Sequence, residues 1–202
     1  MLFEAEAKDI LIGACDVFMY PFTGTEIPED AVIETAEHSV GHCSSGFTID
    51  YKPTKYEVTN HHGSTVKSYV TKEEISAKTG IMSWDLERLT LLSTAEYTVE
   101  KEKKKKKLLF TGNGKALKTV LVRAVHVKDN GKKLRFTMLG QGGSGFSLAF
   151  ENKEVTVDAE LAAIKKVDGF LASIEEELTE EEAAAINVVS VSYTHLTLPT
   201  IL

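Results

Sequence analysis

The chain has 202 residues, long enough to bury a core as one globular unit. Hydrophobic residues make up 43% and charged residues 26%, which excludes a disordered chain and a wholly membrane-embedded one. A formal net charge of −7 argues against the broad basic footprint that binding to phosphate backbones needs.

No apolar run approaches the length of a bilayer span, and the opening "MLFEAEAKDI" lacks the basic start of a signal peptide, so a cytoplasmic chain with no membrane contact is expected. Cys15 and Cys43 are too few for a disulfide framework and read as reduced thiols. Met1–Ala14 reads as a short helix or an extended arm. "DVFMY", Asp16–Tyr20, reads as a strand from its aromatic and β-branched content. Pro21, Gly24 and Pro28 then break regular structure, so residues 1–38 form an N-terminal strand and arm.

From Gly46 to Ile81 the pattern predicts two unusually long strands joined by a turn at His61–Ser64. Phe47, Ile49 and Tyr51 alternate with Thr48, Asp50 and Lys52, a period of two that separates an apolar from a polar face. Pro53 removes a ladder donor and belongs at an edge, a bulge or a bend. On the return strand Ile75, Ala77 and Ile81 alternate with Glu74, Ser76 and Lys78. Val66–Val70 is apolar on the opposite parity, which predicts a bulge near Thr71–Glu73.

Ser83 as N-cap and Asp85 in the first turn predict a helix over "WDLERLTLL", with Trp84, Leu86, Leu89 and Leu92 as its buried stripe and Trp84 as its anchor. Ala95–Phe110 reads as two strands meeting in a lysine-rich turn. "LKTVLVRAVHVKDNGKKLRFTML" is the strongest hairpin signal, with Asn130-Gly131 suited to a type I′ turn. "GFSLAF" is a short strand that turns toward "EVTVD". Leu161, Ile164, Val167, Leu171, Ile174 and Leu178 recur at helical spacing and predict a C-terminal amphipathic helix, weakened at Gly169 by about 1 kcal/mol relative to alanine. The expected fold is mainly β with one central and one C-terminal helix, a single domain over residues 1–178.

Residues 179–189 read as an acidic tail. Beyond it the composition shifts abruptly: all ten residues of Val191–Thr200 match one translated frame of a transposon-based sequencing adapter. Residues 190–202 are therefore expected to be non-native, and Tyr193 and His195 are set aside.

Candidate chemistry is sparse. His42, Cys43, His61 and His62 have metal-ligand side chains but lack paired zinc spacing, and adjacent histidines in a strand or turn should project apart. "GQGGSG", Gly140–Gly145, lacks the Lys-Ser or Lys-Thr and following helix of a phosphate loop and reads as a connector. Lys103–Lys107 is flanked by Glu100 and Glu102 and reads as a solvated turn. No GxSxG elbow is present. No catalytic, cofactor or metal residue is assigned, and no enzymatic activity is expected.

The order "VGHCSSGFTIDYKPTKYEV", "GSTVKSYVTKEEISAKTGIMSWDLERL" and "NGKALKTVLVRAVHVKDNGKKLRFTMLGQGGSGFSLAFENKEVTVDAEL" resembles the major tail tube proteins of tailed bacteriophages and prophages, over about Gly41–Leu161. That resemblance implies a β-sandwich whose long hairpin contributes to an inter-subunit barrel. It also implies hexameric rings stacked into a tube, with tape measure and terminator proteins as partners and DNA passing through without specific binding. The expected location is the virion tail, with the host cytoplasm during assembly. On this model Phe47, Ile49, Tyr51, Ile75, Ala77 and Ile81 pack on the core, while Asp50, Lys52, Glu74, Ser76 and Lys78 face the lumen. Tyr56, Val58, His61, His62, Val66 and Tyr69 contact a neighbouring subunit. Another tail component, the tube protein of a contractile injection system, and a small binding module using the lysine turn or the histidine tip are the alternatives.

Overall fold

A computed structural model describes residues 13–41, 43–81, 83–142, 145–148, 150, 152 and 155–186. Expectations for residues 1–12, His42 and residues 187–202 lie outside them.

The centre of the fold is the hairpin of β6 (Val120–Val127) and β7 (Lys133–Gln141). Both strands carry apolar residues on successive positions, the pattern of strands covered on both faces. Val120, Val122, Ala124, Phe136 and Met138 feed one core, and Leu121 and Leu139 feed another on the opposite side. β1 (Asp16–Pro21) pairs antiparallel with β6, from Asp16 opposite Val125 to Pro21 opposite Val120.

The sheet continues in the order β1-β6-β7-β9-β3-β2, with β9 at Val157–Ala163, β3 at Thr65–Ile81 and β2 at Cys43–Thr59. Short β8 (Phe146–Leu148) borders β9, and β10 (Ala172–Glu176) borders β7. β2 and β7 stand three places apart in this order, yet the rings of Phe47 and Phe136 lie 5.7 Å centroid to centroid. The sheet therefore folds back on itself, enclosing Val17, Met19, Ala77, Ile81, Val122, Met138 and Leu161. The fold-over is made where Gly140 and Gln141 of β7 meet Ala163 and Ala162 of β9. A Cβ on Gly140 would sit 3.3 Å from the Ala162 carbonyl oxygen. One on Gly142 would sit 2.5 Å from that of Leu92, so backbone packs against backbone here.

On the outer side, α1 (Asp30–Ile33) lays Ile33 with Phe22 over Leu121 and Leu139. Beside them Arg123 and Arg135, 2% and 8% exposed, occupy outward positions that would otherwise be apolar. Glu34 accepts from Arg135 Nε at 2.5 Å and from Lys133 Nζ at 2.7 Å, and Glu177 accepts from Arg135 Nη1 at 2.6 Å. Asp30 pairs with Arg123 and lies 3.2 Å from Arg135. Three cations thus meet three carboxylates, the condition under which burying charge is tolerable. Burial pushes the Glu34 carboxyl up, but its hydrogen bonds from Arg135 and Lys133 outweigh burial and hold it below its usual value of 4.5.

The mainly-β expectation holds, and the strands expected at Asp16–Tyr20, through the long hairpin, at Ala95–Phe110 and at "GFSLAF" are present. The central helix is not. "WDLERLTLL" forms only a single 3-10 turn at Arg88–Thr90, and Trp84 is 52% exposed while Leu89 and Leu92 enter the core. Local side chains compete with the helix: Asp85 Oδ1 accepts from the Glu87 N–H at 3.0 Å, while the Thr90 and Ser93 hydroxyls donate to the Glu87 and Leu89 carbonyls at 2.7 and 2.8 Å.

The C-terminal helix expected over Leu161–Leu178 is likewise replaced, by β9, a turn and β10. Val157, Ala159 and Leu161 are buried at period two. Leu161 then feeds one core, while Ile164 and Val167 pack on the other. A helix presents one stripe and cannot serve both sides of a sheet. Gly169, at φ +70°, makes the reversal that returns β10 to β7. The acidic stretch instead holds α2 (Glu180–Ala185), closed by a capping box between Thr179 and Glu182.

Candidate functional site

β2 and β3 are each 17 residues long, well beyond the usual strand. β9 supports β3 only from Ser76 to Ile81. Outside that stretch the two strands pair only with each other among the described residues, and every residue from Tyr51 to Glu74 is exposed. At about 3.4 Å per residue, the ribbon from Lys52 to Thr59 stands roughly 25 Å clear of the body.

Register sets which side chains share a face. Lys52 stands opposite Glu74, Asp50 opposite Ser76 and Thr48 opposite Lys78, so the five residues expected on one polar face do lie together. They are cross-linked: Lys78 Nζ lies 3.1 Å from Asp50 and 3.4 Å from Glu160, and Lys72 pairs with Glu74. Hydrogen bonds to Asp50 and then Glu160 push the Lys78 ammonium above its usual range, and the bond from Lys72 holds Glu74 below its own. Glu160 stands opposite Lys78 on β9 and belongs to this face, yet it lies outside the Gly46–Ile81 hairpin to which the sequence pattern assigned that face.

The opposite face is only partly core. Ala77 and Ile81 are buried, and Phe47 and Ile75 pack against the core. Ile49 and Tyr51, expected there as well, are 39% and 53% exposed. The covering layer ends beneath them, leaving Ile49 on the rim of an open groove with Phe47, Phe136 and Ile174. The Tyr51 hydroxyl donates to Glu73 at 2.9 Å rather than entering the core.

Further out, the expected bulge is found at Thr71, between the pairs Thr54–Lys72 and Lys55–Val70. It returns Val70 to the side of Ile75, while on the uninterrupted β2 Tyr56 and Val58 fall on the side of Lys52. The outer arm is therefore apolar on both faces. Tyr56 and Tyr69 stand opposite each other with ring centroids 5.4 Å apart, and Lys67 reaches over the Tyr69 ring. At the tip Asn60 Oδ1 accepts from the N–H groups of His62 and Ser64, both at 3.0 Å, and Gly63 takes φ +79°. His61 and His62, expected to project apart, have ring centroids 3.7 Å apart because both occupy the central positions of one tight turn.

Of the lysine run expected as a turn, only Lys103 and Lys104 lie between β4 (Glu96–Glu100) and β5 (Lys105–Leu109), which form a separate two-stranded sheet; Lys105, Lys106 and Lys107 open β5. Cys15 and Cys43 are free thiols, and burial pushes the Cys15 thiol up. Among the described residues no helix is long and apolar enough to cross a membrane, and no three His, Cys, Asp or Glu side chains are grouped to hold a metal ion. No protein-family model matches the chain, and no curated protein matches it.

Proposed function

We propose that this protein is a tube-forming structural subunit of the phage tail tube kind, closing into hexameric rings that stack around a conduit for DNA. The observation that carries this reading is the arm. Two strands of 17 residues extend past any support from the other described residues, with exposed Tyr51, Tyr56, Val58, Val66, Tyr69 and Val70. A long bare edge with apolar side chains is an aggregation hazard unless a sister copy pairs with it. Residues 38–40 cover the outer edge of β1, through bonds between Met19 N–H and His38 O at 2.8 Å and between Val40 N–H and Val17 O at 2.9 Å. β2, at the other end of the sheet order, pairs only with β3 among the described residues. Ring closure satisfies that edge, and burial of the arm supplies roughly 1.5 kcal/mol per fully buried valine-sized side chain.

The polar face suits a lumen. Asp50, Lys52, Glu74, Lys78 and Glu160 mix both signs, and most of these charges are paired on the face itself. Such a surface offers passing DNA no continuous row of free cations, so sliding is not opposed by counterion-release binding.

The test is electron microscopy of the chain without residues 190–202 at high protein concentration. Rings and tubes are expected. Monomers under every assembly condition overturn the proposal, and rings that never stack favour a terminator-like role. A second variant replaces Tyr56–Tyr69 with Asn-Gly, closing the hairpin on the Lys55–Val70 pair. It should stay folded and stop assembling, whereas unchanged assembly rules the arm out as the contact between copies.

A further inference from the structure

We infer that the lysine-rich hairpin β4–β5 is an electrostatic docking surface for the acidic end of a second copy of this chain, giving a polar, head-to-tail contact separate from the arm. The inference rests on the proposal that copies assemble. Lys101, Lys104, Lys105, Lys106 and Lys107 are all exposed, and no ammonium among them has an acidic partner among the described residues; only Lys103 is paired, with Glu100 at 3.0 Å. Lys105 and Lys107 project from the same face of β5; Lys105 stands opposite Glu100, whose carboxylate is held by Lys103, and Lys107 stands opposite Thr98. At the tip, Lys104 takes φ +52°, the only non-glycine with positive φ among the described residues. Glycine or asparagine would close that turn with less strain, so a lysine here adds charge at a conformational cost.

The counter-charge lies on the same chain, at the other end of β6 from the root of this hairpin. β4–β5 is rooted at the start of β6: Lys115 pairs with Glu96, and Leu108 packs on the main core. The acidic end sits at the β6–β7 turn, where Glu176 pairs with Lys128 and Glu182 with Lys132. Glu180 and Glu181 are exposed there without a cation among the described residues. The length of β6, about 25 Å, lies between the root of β4–β5 and that turn, and no ion pair joins the two charge groups within one copy among the described residues. A positive and a negative surface that do not meet within one copy define a heterologous, head-to-tail contact that repeats from copy to copy. That geometry favours another copy over nucleic acid as the occupant.

Charge swapping tests this. One variant carries Lys105→Glu and Lys107→Glu, and the other carries Glu180→Lys and Glu181→Lys; all four positions are exposed, and unchanged far-UV circular dichroism confirms folding. Sedimentation and electron microscopy of each variant alone should show association weakened roughly ten- to a hundredfold, with rings persisting and stacks shortened. An equimolar mixture should restore association, because each pole then meets its opposite. Raising salt from about 50 to about 500 mM should weaken the wild type and the mixture alike. Unchanged stacking of both single variants, or no rescue on mixing, overturns the inference. So does lysine-dependent, salt-sensitive binding of a short DNA duplex with stacking intact. If the wild type forms no rings, pairwise association of the mixed variants still reports on the poles, which separates failure of this contact from failure of the tube.

Discussion

Two hairpins in this molecule close with the same kind of turn and meet opposite fates. At Lys128–Lys132 and at Asn60–Ser64 the first N–H bonds to the carbonyl four residues on, at 2.8 and 2.9 Å, and a glycine at the fourth position takes positive φ. β6–β7 is then buried on both faces, whereas nothing among the described residues covers the outer half of β2–β3. Turn chemistry decides that a hairpin forms, and neighbours decide what it is for. One hairpin supplies the stability of the subunit, and the other offers surface.

The sharpest way to break this contrast is to cut the body. Leu121→Ala removes a fully buried side chain from beneath α1 and should cost about 4 kcal/mol in urea unfolding. Next comes the charge cluster. Glu34→Gln leaves Arg135 and Lys133 short of a carboxylate and should cost about 3 kcal/mol by the same measurement.

The same cluster makes the body acid-sensitive. Glu34 and Glu177 have folded pKa values below the ordinary 4.5, Glu177 chiefly through its hydrogen bond from Arg135. Their contribution is complete above the unfolded value and is lost as pH falls through the folded one. The urea midpoint should therefore stay level from about pH 7 to about pH 5 and fall below that, with a shallower fall in Glu34→Gln. A smaller effect is expected at Thr179→Ala, which opens the capping box of α2 and costs about 1 kcal/mol locally, read as faster hydrogen exchange at the Glu182 amide. Tyr56→Ser with Tyr69→Ser should change monomer stability least, by less than about 0.5 kcal/mol, while weakening assembly. A large loss of monomer stability from this last pair would dissolve the contrast between the two hairpins.

Much of the arm was legible in the sequence. Alternation placed Asp50, Lys52, Glu74, Ser76 and Lys78 on one face, and the parity change around Val66–Val70 located the bulge. The Asn130-Gly131 signal found its hairpin but gave the wrong turn. A type I′ turn needs positive φ at both residues, and only Gly131 has it; the loop spans five residues with Asp129 and Asn130 central. The two expected helices failed for different reasons. In "WDLERLTLL" Leu86, Leu89 and Leu92 all reach one core, and local side-chain bonds hold the segment to a single turn, whereas the helical spacing of Leu161–Leu178 hides that its apolar residues serve two separate cores.

By itself the sequence determined the strand-rich class, the long ribbon with its polar face and the lysine turn, because alternation, turn residues and charge runs act over a few neighbouring positions. Tertiary structure alone decided that the sheet doubles over at Gly140, that Ile49 and Tyr51 outrun their cover, and that β4–β5 is rooted at the start of β6 while the acidic end sits at the β6–β7 turn. Each of those depends on which distant strands pack together, and burial is settled only when the whole chain has closed on itself.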